Sequence, residues 1–300
     1  MQDYARGHDI SELKVLLNRG STPHRTSLED YVAYQWETAG DLLGQRHQDK
    51  RNAIALAWLS AAIPRANAPA SILDVGCAYG NHLFMLNAFL KKPETLQLFG
   101  IDLHEEAIQR ASTFANAIPG FSNCYFQVAD LEIGLPFEDC TFDAVNLCDV
   151  IEHMTAPSSA LKELCRVIKP NGTSVLSTPL KGSIFKRLAN SFNRISNGRL
   201  YEAYYNGKDS KLNEHGKPIM ETAAGYDHVS EMNFPTLKML CSEAGFEVEE
   251  VNLMSVMSGS RWFDRHPLLL AAILLLESVH ERLQLSSWAH SVMLRLRKRG

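Results

Sequence analysis

Two short stretches carry residues whose types and spacing could do chemistry. The first is Asp74-Val75-Gly76-Cys77-Ala78-Tyr79-Gly80. Asp74 can accept a hydrogen bond from a cationic or amino group, Gly76 lets the backbone turn and a ligand approach where a Cβ would stand, and Gly80 permits close packing where the next element starts. The second is Asp149-Val150-Ile151-Glu152-His153. If it turns helical, Asp149, Glu152 and His153 share a face. A histidine there can act as general base on an acceptor hydroxyl, its unperturbed pKa being about 6.5, and Glu152 could orient it or bind the acceptor. Two other readings stay open. Two carboxylates and a histidine also suit a hard divalent ion with open positions, and a purely structural reading has the same side chains bond neighbouring backbone and hold the loop.

The glycine spacing separates two cofactor classes. A dinucleotide site uses G-x-G-x-x-G, whose middle glycine admits a pyrophosphate. Here that position is Ala78, and an acid, Asp74, precedes the turn. The pattern fits a cofactor with a free amino-acid end better than one with a pyrophosphate.

These residues need elements to position them. A helix is expected from Ser27, with Asp30 in a capping arrangement and Tyr31, Tyr34 and Leu42 at roughly helical spacing, and a second over Asp49–Ile63. Strands and helices then alternate. Strands are read at Ser71–Val75, Leu96–Ile101, Asn123–Val128, Phe142–Cys148, Thr173–Ser177, Phe246–Asn252 and His290–Arg297. Helices are read at His82–Leu90, Glu105–Ala115, Pro157–Val167 and Pro235–Ala244, the last closed by Gly245. Such alternation implies a mainly parallel sheet with helices on both faces. The Asp74 turn then falls at the carboxyl end of a strand, where ligands of such sheets bind.

Two insertions break the rhythm, at about 181–228 and 258–289. Lys181–Lys217 holds eight basic and three acidic residues, with Tyr201, Tyr204 and Tyr205 among them. That suits an anionic acceptor, or else a solvated lid. The second insertion carries Arg261-Trp262-Phe263 and an apolar helix. Its Leu268, Leu269, Ala272, Leu275, Leu276, Val279 and Leu283 follow helical spacing. The expectation is a stripe packed over the active-site end or in a dimer, or an interfacial helix through 262–283 that meets a membrane peripherally.

Composition sets the outer limits. The chain has 300 residues, 45% hydrophobic and 21% charged, which excludes wholesale disorder and fibrous architectures. A net charge of −4 gives no basic excess, so nucleic acid is not expected as partner. Six scattered cysteines without a CxxC pair support neither a zinc framework nor a redox motif. The first residues lack the apolar core of a secretory signal, and the apolar run Pro267–Leu276 is shorter than a membrane span. The expected setting is cytoplasmic, with peripheral contact at the inner membrane surface.

In order along the chain, Ile72–Gly80 (ILDVGCAYG), Phe99–Asp102, Ala129-Asp130-Leu131, Phe142–Val145, Asp149–His153 and Leu164–Pro179 resemble the motifs of class I S-adenosylmethionine-dependent methyltransferases, over about Ala70 to Leu253. Within that class the loop after the fourth strand resembles the ubiquinone-biosynthesis O-methyltransferases, which are metal-assisted. The resemblance implies a Rossmann-like α/β fold with a seven-stranded sheet of order 3-2-1-4-5-7-6 and helices on both faces. Residues 1–67 would form an N-terminal tail and helical cap, and 68–300 the methyltransferase domain. It implies cofactor binding by Asp74, Gly76, Cys77, Gly80, Asp102, Leu103, Asp130, Leu131 and Cys148. Asp102 would take the ribose hydroxyls, Asp130 the adenine amino group, Leu131 a backbone amide and an apolar wall, and Cys148 the methionine end. The alternative for Asp102 and Asp130 is that they merely cap loops. His153, Glu152 and His228 are the catalytic candidates. No metal ligand is assigned, a divalent ion remaining an alternative. The Asn/Asp-Pro-Pro-aromatic stretch of base-amino methyltransferases is absent after Asp149. The expected reaction is methyl transfer to a small-molecule, glycan or lipid-linked acceptor, with oxygen first and a homo-oligomer compatible. The alternatives are a catalytically silent S-adenosylmethionine-binding regulator and, against Ala78, a nicotinamide enzyme.

Overall fold

The computed structural model describes residues 42–63, 69–90, 95–196, 199, 228–257 and 261–300. The expected helix from Ser27 and its Tyr31, Tyr34 and Trp36, the Tyr201, Tyr204 and Tyr205 cluster, and Lys208, Lys211 and Lys217 lie outside them.

The chain runs α1 (Leu42–Ala61), β1 (Ala70–Val75), α2 (Asn81–Leu90), β2 (Leu96–Asp102), α3 (Glu105–Ala117), β3 (Cys124–Val128), β4 (Phe142–Cys148), a single 3-10 turn (Ile151–His153), α4 (Pro157–Val167), β5 (Ile168–Pro179), α5 (Ile184–Ile195), α6 (Phe234–Glu243), β6 (Phe246–Met254), α7 (Arg261–Asp264), α8 (Pro267–Leu283) and β7 (Ser291–Lys298). The sheet order is β3-β2-β1-β4-β5-β7-β6. All pairings are parallel except those of β7, antiparallel to both β5 and β6. This is the class I sheet that the sequence led us to expect.

β1 and β4 lie at the centre, and the fully buried Ile72, Leu73, Ala144, Val145 and Leu147 explain their largely apolar runs, which only Ser71, Asp74, Asp143 and Asn146 interrupt. One core layer, with Leu161, Leu164 and Leu237, packs under α4 and α6. The other holds Phe84, Phe114 and Phe121 under α1, α2 and α3.

Two elements differ from expectation. The described part of α1 already runs from Leu42, ahead of the expected Asp49. Its first turns are held by Leu43, buried against Val256, Phe263 and Ile273, and by polar contacts that leave no apolar periodicity: His47 Nδ1 to Ser255 Oγ at 2.9 Å, and Lys50 to Glu281 at 3.3 Å. α8 is turned over. Its buried residues are Ile273, Glu277 and His280, whereas Leu268, Leu269, Ala272, Leu275 and Leu283 are exposed. Glu277 faces inward because the Val256 amide, buried there, donates to its Oε1 at 2.8 Å.

The strand ends near the Asp74 turn are tightly spaced. Gly76 and Cys77 both donate to the Ile101 carbonyl, at 2.8 and 2.9 Å, which ties the turn to β2. A Cβ on Gly100 would stand 2.6 Å from the Phe126 ring and 2.8 Å from Cys77 Sγ. Gly100→Ala is therefore expected to destabilise the protein by about 2 kcal/mol through overpacking. A thermal melt checks this, and an unchanged midpoint would show that the turn can shift freely.

Candidate active site

At the end of β1, Asp74 is buried at the middle of the sheet. Asn146 Nδ2, from β4, donates to its Oδ1 at 2.7 Å. Its Oδ2 has no hydrogen-bond partner, and His82 Nδ1 stands 3.7 Å from it. The other His82 nitrogen contacts Asn52 Oδ1 of α1 at 3.1 Å. A buried carboxylate oxygen without a hydrogen-bond partner is one that a donor group would satisfy.

The turn beyond is strained in the manner a ligand site requires. Gly76 has φ +70, and a Cβ there would be 2.3 Å from Val150 Cγ2. Gly80 has φ +79 and faces the Phe126 ring. Ala78, the residue that departs from the dinucleotide pattern, also sits in the left-handed region, at φ 46. Its amide donates to Asp102 Oδ2 at 2.8 Å, which holds it there.

Asp102 thus organises loops, with Oδ1 accepting from the His104 amide at 2.8 Å. Each oxygen retains a second lone pair, so capping the turn and holding vicinal hydroxyls are compatible roles. Asp130 accepts from the Glu132 amide at 2.8 Å through one oxygen, an Asx turn that leaves the other oxygen for a donor. Leu103 is exposed at the end of β2. The side chains of Leu131 and Cys77 point elsewhere. Leu131 is in the core against Val75 and Ile101, and Cys77 Sγ is packed beneath the turn. Cys148 closes β4 half-buried, and burial raises its thiol to about 11, keeping it protonated. The open Asp74 oxygen, the Cβ-free turn and the acids after β2 and β3 suit a nucleoside bearing an amino acid.

The second stretch does not form the single face expected of it. Only Ile151–His153 is helical, as one 3-10 turn, and Asp149 precedes it at φ 55. Asp149 is drawn away by Ser177 Oγ, which donates at 2.7 Å, and by an ion pair with Arg51 of α1. In its place comes His228. The Val229 and Ser230 amides donate to the Glu152 carbonyl at 2.9 and 3.0 Å, and Ser230 Oγ to the Ile151 carbonyl at 2.9 Å. The rings of His153 and His228 consequently meet edge to face, 5.0 Å apart. Glu152, His153 and His228 each present one ligand-type atom within 4.8 Å of the others.

The electrostatics differ sharply across this group. Glu152 is buried, with Thr178 Oγ1 donating to it at 3.0 Å, and burial raises its carboxyl to about 7. Glu231 is held at about 2, first by its bond to His228 and then against burial by Lys186. His228 Nδ1 lies 3.3 Å from Glu231, and Lys186 Nζ is 2.8 Å from the same carboxylate. The line Lys186–Glu231–His228–His153 can orient an imidazole and stabilise it once protonated. Sequence reasoning missed Arg51, His82, Asn146, Thr178 and Glu231. Asn146 left a signal as the polar residue inside the apolar run of β4, whereas Arg51 left none.

The sheet order is that of the class I methyltransferase fold. Residues 67–223 match the family described as methyltransferase domain. Ubiquinone/menaquinone biosynthesis C-methyltransferase UbiE of Rickettsia bellii is 28% identical over 203 residues, 66% of this chain and 75% of that protein. An uncharacterized methyltransferase of Schizosaccharomyces pombe is 35% identical over 105 residues, 34% of this chain and 37% of its own. Among solved structures, a SAM-dependent methyltransferase from Methanosarcina mazei aligns with a TM-score of 0.50 at 16% identity, over 80% of this chain and 96% of that one. The [4+2]-cyclase SpnF aligns with a TM-score of 0.53 at 18% identity, over 94% and 99%. The chain belongs to the methyltransferase domain family, and it is an S-adenosylmethionine-dependent methyltransferase.

Glu152 gives a signed pH prediction. Its folded pKa of about 7 lies above the ordinary 4.5, so between these values folding takes up a proton. Its contribution to stability is full below about pH 4.5 and is lost as pH rises through about 7. Glu152→Gln should flatten that part of the curve and raise stability above pH 7 by about 2 kcal/mol. Melting temperatures across pH check it, and a curve of unchanged shape in the variant would contradict the burial argument.

Proposed function

We propose that this methyltransferase alkylates an oxygen of a small or lipid-linked acceptor, and that His228 and His153 take up the acceptor's proton. The observation that carries the reading is the Glu231–His228–His153 line beside the end of β4, anchored by a carboxylate that stays ionised. In it Glu231 accepts from His228 Nδ1, which leaves Nε2 as the basic nitrogen. The ring of His153 shares the proton load, and buried Glu152 fixes the turn from which His153 projects.

S-adenosylmethionine supplies a methyl group made electrophilic by its sulfonium. We assign its binding to Asp74, Gly76, Cys77, Gly80, Asp102, Leu103, Asp130, Leu131 and Cys148, Leu131 and Cys77 contributing backbone only. Asp74 Oδ2 would take the ammonium, Asp102 the ribose hydroxyls and the second oxygen of Asp130 the adenine amino group. The chain's own work is orientation: displacement at a methyl group depends on aligning donor and acceptor and on excluding water. On this reading residues 1–67 cap the site and 68–300 form the transfer domain.

A second reading places the methyl group on carbon. It is favoured by the name of the UbiE relative, a C-methyltransferase. Carbon alkylation of a phenol or enol also begins with loss of the hydroxyl proton, so the same base serves both.

Calorimetry with S-adenosylhomocysteine tests the cofactor site: micromolar binding is expected, and Asp102→Ala should weaken it about tenfold or more. Unchanged affinity would overturn that assignment. A panel of phenolic, enolic and glycan acceptors with methyl-labelled cofactor tests the rest, and NMR of the product separates O-methyl from C-methyl. His228→Gln should lower kcat by about 10²-fold or more while leaving S-adenosylhomocysteine affinity unchanged. Wild-type turnover in both His153→Gln and His228→Gln would remove the base.

A further inference from the structure

We infer that α5 and α8 together form a docking surface for an anionic lipid membrane. α5 carries large apolar residues at Ile184, Leu188, Phe192 and Ile195, spacings of four, four and three that place them on one helical face. That face is open: Phe192 is 59% and Ile195 79% exposed, and no described side chain of α5 is buried. A helix stabilised by packing would turn such a stripe inward. The charged residues of α5 are Lys186, Arg187 and Arg194, with no acid among them. Arg187 and Arg194, seven apart, run along one flank of the stripe. Lys186 projects away from it, to Glu231.

α8 adds a second open apolar face, with Leu268 88% and Leu275 67% exposed. The helices are joined at their base. The Ile184 amide donates to the Ser287 carbonyl at 2.8 Å, Ser183 Oγ to the Trp288 carbonyl at 3.0 Å, and the rings of Phe185 and Trp288 meet at 5.3 Å. Phe185, Trp288, Leu270, Ile273 and Leu274 share one small apolar cluster. The anchored end of α5 thus sits on the layer that supports α8.

The charge decides the occupant. Apolar side chains flanked by arginines, with no acid on the helix, complement a surface that is apolar in depth and anionic at its boundary. Among the described residues no helix is long and apolar enough to cross a membrane, so the contact lies in the plane of the interface. The surface is mechanically continuous with the acceptor end, since Lys186 of α5 holds the carboxylate that orients His228. This deepens the reading above, because a lipid-linked acceptor would reach the histidines from the bilayer side.

The test is cosedimentation of the full chain with vesicles of phosphatidylcholine alone or mixed with anionic phosphatidylglycerol. Binding to the anionic vesicles is expected, weakening as salt is raised. The double substitution Leu188→Asp, Phe192→Asp should lower it at least about tenfold, and Arg187→Glu, Arg194→Glu several-fold. Both side-chain pairs lie at the surface, so melting temperature and S-adenosylhomocysteine affinity should match the wild type. Absence of wild-type binding to anionic vesicles would overturn the inference, as would full binding by the aspartate variant. A wild-type dimer in sedimentation velocity that the aspartate substitutions dissolve would give the face to a second copy instead. Failure of the transfer reading shows separately, in the acceptor panel without vesicles.

Discussion

A carboxylate lies inside the sheet with only one of its oxygens answered. Asn146 donates to one oxygen of Asp74, and the other is buried without a hydrogen bond, 3.7 Å from His82 Nδ1. Burying such a group without a full set of partners is unfavourable by several kcal/mol in an apolar setting. The rest of the first turn follows from it. Gly76 must lack a Cβ because Val150 closes the far side, and Ala78 is held in an unfavourable backbone region by Asp102. A donor that reached the unpartnered oxygen would offset that cost.

α1 makes that region into an enclosure. It sends Arg51 to Asp149, Asn52 to His82, Lys50 to Glu281 and Trp58 Nε1 to Glu250. These partners come from four different parts of the chain, so one helix fixes the loop after β4, the start of α2, the last turn of α8 and the outer strand. The Glu132 carboxylate does similar work from below. It accepts from the Thr155 and Ala156 amides at 2.6 and 2.8 Å and so couples the loop after β3 to the one after β4. The turn after β1 and the loop after β4 are therefore set against one another by side chains from α1 and from the loop after β3.

Much of this was legible in the sequence, for a physical reason. The glycine turn and the acids after β2 and β3 act close to where they stand in the chain, and strand ends follow from short apolar runs, so order alone placed them. Periodicity was less informative for α8. It shows which residues share a face but not which face turns inward, and there a buried amide of Val256 claimed Glu277. The spacing in the loop after β4 permits a helix without requiring one, and the Asp149 contacts with Arg51 and Ser177 hold its first residue out of the short turn that forms. Arg51 itself was invisible, since nothing in an isolated helix says that one of its arginines will reach a strand end a hundred residues later. His228 was readable as a candidate, but its pairing with His153 depends on backbone bonds between distant segments.

Those backbone bonds have a consequence for how the molecule can diversify. The stretch at Val229–Ser230 is fastened to the Glu152 carbonyl, Leu180 bridges Met232, and the Lys181 amide donates to the Met232 carbonyl at 2.8 Å. The chain therefore leaves the sheet and returns to it at a single closed seam. Between the two sides of that seam α5 is tied back to the site by Lys186, which holds Glu231 beside His228. Lengthening a loop closed in this way adds little free energy, so its length can vary while that one lysine must keep its place.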